Sequence, residues 1–176
     1  RHAYKLVNGN QTSTDAGDYA LISYRVEAQD LASSGWDYTS ASSYITLSFW
    51  AKSSVAKDFI ISLYTDDGDS DNYNHKYSLS ANTWTKVTKT FPGNPGMQIN
   101  NDHGQGLEIM FNMYMGTQFT SGSTVDQWVT YAGYTSRPDD TADWWTTNDA
   151  TFEMTGVQLE VGDVATDFEH RSYGDE

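Results

Sequence analysis

The sequence contains no cysteine, so no disulfide bond can stabilise it and its cysteine content says nothing about redox compartment. It has 3 prolines, and none of its apolar runs approaches the roughly 20 residues that a membrane-spanning helix needs, so we expect no membrane insertion. It begins with Arg1 and His2 and shows no apolar secretion signal, which we interpret as a piece of a longer polypeptide.

Basic residues are also scarce. The 10 Lys and Arg stand against 24 Asp and Glu, which gives a net charge of -14. Nucleic acids and anionic membranes bind through clustered Lys and Arg, and here these residues are scattered, so we expect neither partner. The sequence has no GxSxG element and no phosphate-binding glycine loop, and we predict that it is not an enzyme and has no catalytic residues. A paired-carboxylate glycosidase stays open as an alternative, because 24 acids offer many possible pairs.

Aromatic residues, by contrast, are abundant. They make up 14% of the 176 residues, although only 38% of the chain is hydrophobic. Disordered chains are poor in aromatic residues, so this one should fold, and its length suits one well-buried domain. Many Tyr, Trp, Ser and Thr with few aliphatic residues are typical of β-sheets that have one wet face.

Apolar and polar residues alternate along most of the chain, and no stretch repeats apolar residues at helical spacing, so we expect β-strands and almost no helix. The alternation shifts between Met154 and Val157, which predicts a β-bulge near Gly156. Eight or nine strands between turn-rich loops predict a two-sheet antiparallel β-sandwich. The predicted strands span residues 19–27, 44–52, 59–65, 75–79, 83–91, 107–115, 127–132 and 151–161, with 75–79 and 83–91 forming a hairpin.

The order of the segments GDYALISYRV, ITLSFWAKSS, DFIISLYTDDG, NTWTKVTKTFPG and FEMTGVQLEVG resembles that of carbohydrate-binding modules of the jelly-roll type. The resemblance spans roughly residues 17–162, and Trp84, Val87 and Phe91 match a strand motif of that family. It implies an all-β fold, a two-sheet antiparallel jelly-roll β-sandwich. It also implies a saccharide ligand, held either on the concave sheet face or at the loop tips.

The closing segment, GVQLEVGDVATDFEHRSYGDE, resembles a segment of the tail fibres and other tail proteins of bacteriophages, notably marine ones. Residues 158–162 (QLEVG) and 165–176 (ATDFEHRSYGDE) carry the match. This resemblance implies that residues 1–162 form the sandwich and that residues 163–176 are a strap leading out of it. It also implies an extracellular place in the virion tail, with other fibre subunits as partners in a homotrimer.

Saccharides stack their C–H faces on aromatic rings and donate hydroxyl hydrogen bonds to carboxylates, so aromatic residues beside acids are candidate ligand contacts. Three places have this composition: the loop 136–149, the loop after Gly35, and the wetter face of the strand 44–52. The alternative is that these rings belong to the core, since tryptophan is usually mostly buried. The candidate carbohydrate-binding residues are Trp36, Tyr38, Trp50, Asp139, Asp140, Asp143, Trp144 and Trp145.

Alternating acids in the segment DDGDSDN form a candidate metal site. Asp67, Asp69 and Asp71 could place three hard oxygens around one Ca²⁺ ion. The Gly and Glu that an EF-hand requires at loop positions six and twelve are absent, and a solvated acidic turn is the alternative. A structural calcium ion is therefore the one cofactor that the sequence suggests.

These patterns and resemblances predict a virion tail-fibre module that binds a host-surface saccharide or another receptor. Two alternatives stay open. The domain could be a purely structural spacer or cap in the fibre, or it could be a carbohydrate-binding module carried by an enzyme.

Overall fold

The computed structural model describes residues 2–169. In that range the chain forms nine strands, two short α-helices and one 3₁₀ helix. Neither α-helix in this part of the chain is long and apolar enough to cross a membrane. The elements are β1 (Tyr4–Val7), β2 (Tyr19–Glu27), α1 (Ala28–Ser33), β3 (Tyr44–Ser53), β4 (Lys57–Thr65), β5 (Asp71–Leu79), β6 (Thr85–Pro92), β7 (Gln105–Met115), β8 (Trp128–Thr130), the 3₁₀ helix (Gly133–Thr135), α2 (Asp143–Thr146) and β9 (Thr151–Val161).

The strands form two antiparallel sheets. The four-stranded sheet has the order β1-β9-β3-β6, and the five-stranded sheet has the order β2-β7-β4-β5-β8. Successive strands change sheet except within the pairs β4-β5 and β7-β8, and the first strand lies beside the last. Without β8, which is added at an edge, this is the strand order of an eight-stranded jelly roll, so the predicted jelly-roll β-sandwich is confirmed.

The core lies between the two sheets and is formed by alternate residues of each strand. Along β3, Ile45, Leu47 and Phe49 are at most 2% exposed. Phe49 packs edge-on against Phe111 of β7, with ring centroids 5.0 Å apart, and so joins the two sheets. Burial of each such side chain stabilises the fold by about 1.5–3 kcal/mol.

Strand β9 contains the predicted bulge. Trp50 pairs with Thr155 and Ser48 pairs with Gln158, so two steps along β3 correspond to three steps along β9. Gly156 lies within the bulge at a φ of 61°, in the left-handed region where glycine has no steric penalty. The β-bulge that the sequence predicts near Gly156 is therefore confirmed.

The predicted hairpin of residues 75–91 is wrong. Strand β5 pairs with β4 and β8, whereas β6 pairs with β3 in the other sheet. The chain crosses between the sheets near Asn82, whose N–H donates to the carbonyl oxygen of Ser53 (2.7 Å). The strand β1 and the helices α1 and α2 also lie in segments where alternation gave no prediction.

The outer faces of both sheets are partly covered by the chain itself. Residues 131–142, here called the covering segment, lie on the outer face of the five-stranded sheet, where Ser136 and Arg137 are buried. Residues 163–169 of the predicted strap fold back along β9, where the hydroxyl of Thr166 donates to Glu160 and the N–H of Glu169 donates to Gln158 Oε1 (2.8 Å). Residues 170–176 of that strap lie outside the described residues.

Candidate functional site

The outer face of the five-stranded sheet carries a buried polar network that the chain itself uses. Asn112 Nδ2 donates to Ser62 Oγ (3.0 Å), and Ser62 Oγ donates to Asn74 Oδ1 (2.7 Å). The side-chain amides of Asn72 and Asn74 both donate to the carbonyl oxygen of Ser136 (2.9 and 2.8 Å). The covering segment therefore accepts the hydrogen bonds that this part of the face would otherwise offer to a sugar.

A buried ion pair fixes the end of the covering segment. Lys57 Nζ lies 2.7 Å from Asp140 Oδ1, and the two side chains are 2% and 3% exposed. Lys57 Nζ also donates to the carbonyl oxygens of Met113 (3.1 Å) and Thr141 (2.9 Å), while Asp140 Oδ2 accepts from the N–H of Met115 (3.1 Å). Burial lowers the pKa of the Lys57 ammonium group and raises the pKa of the Asp140 carboxyl, and the attraction between the two opposes both shifts. Asp140, predicted to contact a saccharide, is instead a structural residue.

Asp139 and Asp143 lie on the surface, where they line a hollow of about 450 Å³ together with Asp58 and Lys76. Asp139 Oδ1 also accepts from the N–H of Gly122 (3.0 Å). All the residues that line this hollow are non-aromatic, so it offers hydrogen-bonding groups without a ring on which a sugar could stack.

The two adjacent tryptophans lie on α2 and not on an extended loop. Trp144 is fully buried in the core and so cannot be a stacking platform, which corrects the prediction for this residue. Trp145 is half-buried, donates its Nε1–H to the carbonyl oxygen of Ser13 (3.0 Å), and packs against Tyr114 with ring centroids 5.2 Å apart. The structure therefore places both rings in intramolecular packing.

The pair Trp36 and Tyr38 fills the end of the core. Trp36 is 4% exposed and donates its Nε1–H to the carbonyl oxygen of Ser43 (3.3 Å). Tyr38 is half-buried, packs edge-on against Trp36, and donates its hydroxyl to the carbonyl oxygen of Ile99 (3.3 Å). Trp36 is therefore a core residue, against the prediction, because its ring has no face open to a ligand.

The three acids predicted to bind calcium have separate partners. Asp67 accepts from the backbone N–H and the Nδ2 of Asn100 (2.8 and 2.7 Å), whereas Asp71 accepts from Asn94 Nδ2 (2.8 Å) and Asp69 is exposed to solvent. Among residues 2–169, no group of three or more His, Asp or Glu side chains is arranged to hold a metal ion. The structure thus does not bring the predicted ligand set together, and calcium binding stays a prediction.

The remaining candidate, Trp50, lies on the outer face of the four-stranded sheet beside a second exposed tryptophan. Trp50 is 41% exposed and Trp84 is 38% exposed. With His2, Ala3 and Thr155 they line a hollow of about 370 Å³. Two accessible indole rings at one hollow provide the stacking surface that the other candidate places lack.

The strand register explains this juxtaposition. Trp50 pairs with Lys86 of β6, so Trp84, two residues earlier, lies one step further along the same face, beside Lys52. Lys52 Nζ is 5.1 Å from the centroid of the Trp84 ring and 2.9 Å from Glu153 Oε1. Trp84 was not among the site residues predicted from the sequence, although its position two residues before Lys86 in a predicted strand indicated that the two side chains share one face.

The strap reaches the edge of this site. A Cβ atom added at Gly156 would lie 3.6 Å from Trp50 Cδ1 and 3.7 Å from Phe168 Cδ2, so the glycine of the bulge lies between the two rings. The hollow itself is lined by the two indoles, Thr155 and the first described residues His2 and Ala3, while the strap lies next to Gly156.

No protein-family model matches the chain, and no curated protein does. Several solved structures are similar to it, including the following two. One, "Family 16 Carbohydrate Binding Module-2", is 15% identical, with 89% of this chain and 74% of that chain covered and a TM-score of 0.39. Another, "CBM4 structure and function", is 14% identical, with 91% and 84% covered and a TM-score of 0.45. At these values the likeness carries no argument about function, and the fold assignment rests on the strand order.

Proposed function

We propose that this domain binds a saccharide on the outer face of its four-stranded sheet, in the hollow lined by Trp50 and Trp84. The exposure of two indole rings on one face carries the proposal. Stacking of a sugar on each ring would contribute about 0.5–1.5 kcal/mol, the size found for aromatic pairs, in addition to the apolar area that it buries.

Polar groups around the rings could orient such a ligand. Thr155 Oγ1 donates to the carbonyl oxygen of His2 (2.8 Å), which leaves its lone pairs able to accept from a sugar hydroxyl. Lys52 and Glu153 add a donor and an acceptor on the same face. The arrangement combines a stacking surface with a few fixed polar groups, as saccharide sites require.

The biological setting that we propose is the tail fibre of a virion, outside the host cell, where the ligand would be a host-surface saccharide. The closing segment supports this setting through its resemblance to phage tail proteins. In a homotrimeric fibre, three weak sites acting together would gain roughly 10²- to 10⁴-fold in avidity. We propose no catalytic step for the domain.

The test is to present the protein as a trimer to an array of cell-surface and algal polysaccharides and to measure the affinity of each binder by calorimetry. We expect Trp50→Ala and Trp84→Ala each to weaken binding about two- to tenfold, as the loss of one stacking contact requires. Tyr24→Ala is the matched control, because Tyr24 is 66% exposed on β2 of the other sheet.

A structural spacer or cap is the second candidate, and two observations favour it: the outer face of the five-stranded sheet is covered, and Trp36 and Trp144 are buried in the core. A folded trimer that binds no saccharide would support the spacer and overturn the proposal. Binding that survives both tryptophan substitutions but is lost in Asp139→Ala or Asp143→Ala would place the site in the other hollow instead.

A further inference from the structure

We propose that the hollow at Trp50 and Trp84 selects an acidic saccharide, one that carries a carboxylate or a sulfate group. This inference rests on the proposed function and adds the chemical class of the ligand. Its basis is a contrast of charge: the whole chain has a net charge of -14, yet lysines predominate beside this hollow.

Two neighbouring rows of side chains cross the outer face of the four-stranded sheet at this place. In the first row, Lys5 of β1 pairs with Glu153 of β9, and Glu153 pairs with Lys52 of β3. Beyond Lys52 lies Trp84, whose ring centroid is 5.1 Å from Lys52 Nζ. This row therefore carries two ammonium groups and one carboxylate.

In the second row, Thr155 pairs with Trp50, and Trp50 pairs with Lys86 of β6. Lys86 is exposed, as is Lys5 in the first row. The two rows together hold three lysines and one acid, Glu153, which lies 2.9 Å from Lys52 and offsets its charge. Lys86 is also attracted by Glu160 further along the face, which leaves Lys5 as the lysine that attracts an anion.

A second acid of this face, Glu160, lies on the opposite side of Trp50. Glu160 pairs with Thr46, four residues along β3 from Trp50 in the direction away from Lys52. Glu160 also accepts hydrogen bonds from the backbone and hydroxyl of Thr166 in the strap. The face thus has a basic end and an acidic end, and a ligand stacked on the two indoles would place its anionic group at the basic end, toward Lys5 and Lys52.

Each charge beside the hollow changes the affinity for an acidic ligand by an amount that follows from Coulomb's law. Two unit charges roughly 6 Å apart in water interact strongly enough to change a binding constant about threefold. Salt weakens such an interaction, because these lysines are exposed and the screening length shortens as the salt concentration rises. Acidic and neutral saccharides should therefore differ in affinity at low salt and converge at high salt.

The experiment compares three oligosaccharides of equal length: a neutral glucan, an oligouronate and a sulfated glucan. Calorimetry at low and high salt measures each one with the wild type and with Lys5→Gln, Glu153→Gln and the control Arg25→Gln, an exposed cation on β2 of the other sheet. We expect Lys5→Gln to weaken binding of the acidic ligands about threefold and Glu153→Gln to strengthen it about threefold. The neutral ligand should not respond to Lys5→Gln, and Arg25→Gln should change nothing.

Binding of one acidic ligand in preference to the other would support the proposal and identify the anionic group as carboxylate or sulfate. A neutral glucan that binds equally well and is lost in Trp50→Ala would overturn the acidic preference while the proposed function stood. Binding of acidic ligands that is indifferent to Trp50→Ala would reveal nonspecific attraction and also overturn it. No binding of any saccharide by the folded protein would remove both this inference and the proposed function.

Discussion

The substitution Asp140→Ala tests how the covering segment is held. It would leave the Lys57 ammonium buried at 2% exposure with two carbonyl oxygens as its remaining partners, and it would remove the acceptor of the Met115 N–H. Breaking a buried ion pair by removing one partner costs about 3–5 kcal/mol, because the other charge stays buried without compensation. For a domain of this size, that corresponds to a fall in Tm of roughly 6–20 °C.

The assay is urea unfolding followed by tryptophan fluorescence, with Lys57→Met and the double variant completing a cycle. The double variant removes both charges, so we expect it to be more stable than Asp140→Ala, with a coupling energy of about 2–3 kcal/mol. The slope of the free energy against urea should stay constant, since the fold is unchanged. A loss of less than about 1 kcal/mol in Asp140→Ala, or additive effects in the double variant, would refute the reasoning, because surface pairs behave in that way.

Two further predictions concern charge on the surface. Asp126 Oδ1 accepts from Lys89 Nζ and lies beside His75 Nδ1, both at 2.7 Å; although partial burial by itself raises the pKa of Asp126, these partners hold it below its ordinary value of 3.8. The stabilisation by the ionised Asp126 carboxylate is thus present above pH 3.8 and is lost as the pH falls through its lower pKa in the folded state. Asp126→Asn should therefore lower the free energy of unfolding by no more than ~1 kcal/mol at neutral pH and should not change it in acid, as measured by Tm against pH. An equal difference in Tm between the wild type and Asp126→Asn at neutral and at acid pH would contradict this prediction. If the turn binds calcium, as the sequence predicts, calcium should raise the Tm more than magnesium does, and this difference should disappear in Asp69→Asn. An equal rise with both ions would show that the hydrogen bonds of Asp67 and Asp71 keep the three carboxylates apart.

The sheets were predictable where apolar and polar residues alternate along a strand. Along β3 the alternation of Ile45, Leu47 and Phe49 with polar residues indicated the buried face, and the shift at Gly156 indicated the bulge. Strand pairing was harder to predict, because alternation says which face is buried but not which neighbour completes the sheet. The segment 75–91 therefore looked like a hairpin although its two strands belong to different sheets.

The site residues were less predictable, because aromatic side chains beside acids have the same local pattern whether they are buried or exposed. Trp144 and Trp50 illustrate this: one is fully buried on a short helix, and the other is 41% exposed on a strand. The difference in exposure between these two tryptophans comes from packing between segments that are far apart in the sequence. Examples are the covering of one sheet by residues 131–142 and the pairing of β3 with β6. Neither can be deduced from residues near them in the sequence.

The two ends of the described chain meet at one place on the molecule. The carbonyl oxygen of His2 accepts from Thr155 Oγ1, and the ring of Phe168 lies next to Gly156, so both ends reach the same bulge of β9. The first and last described residues of the domain therefore lie beside each other at the four-stranded sheet. A pulling force applied at these two ends would first load the contacts at the bulge, such as the hydrogen bond between Thr155 and His2, and then the adjacent strands β1 and β9.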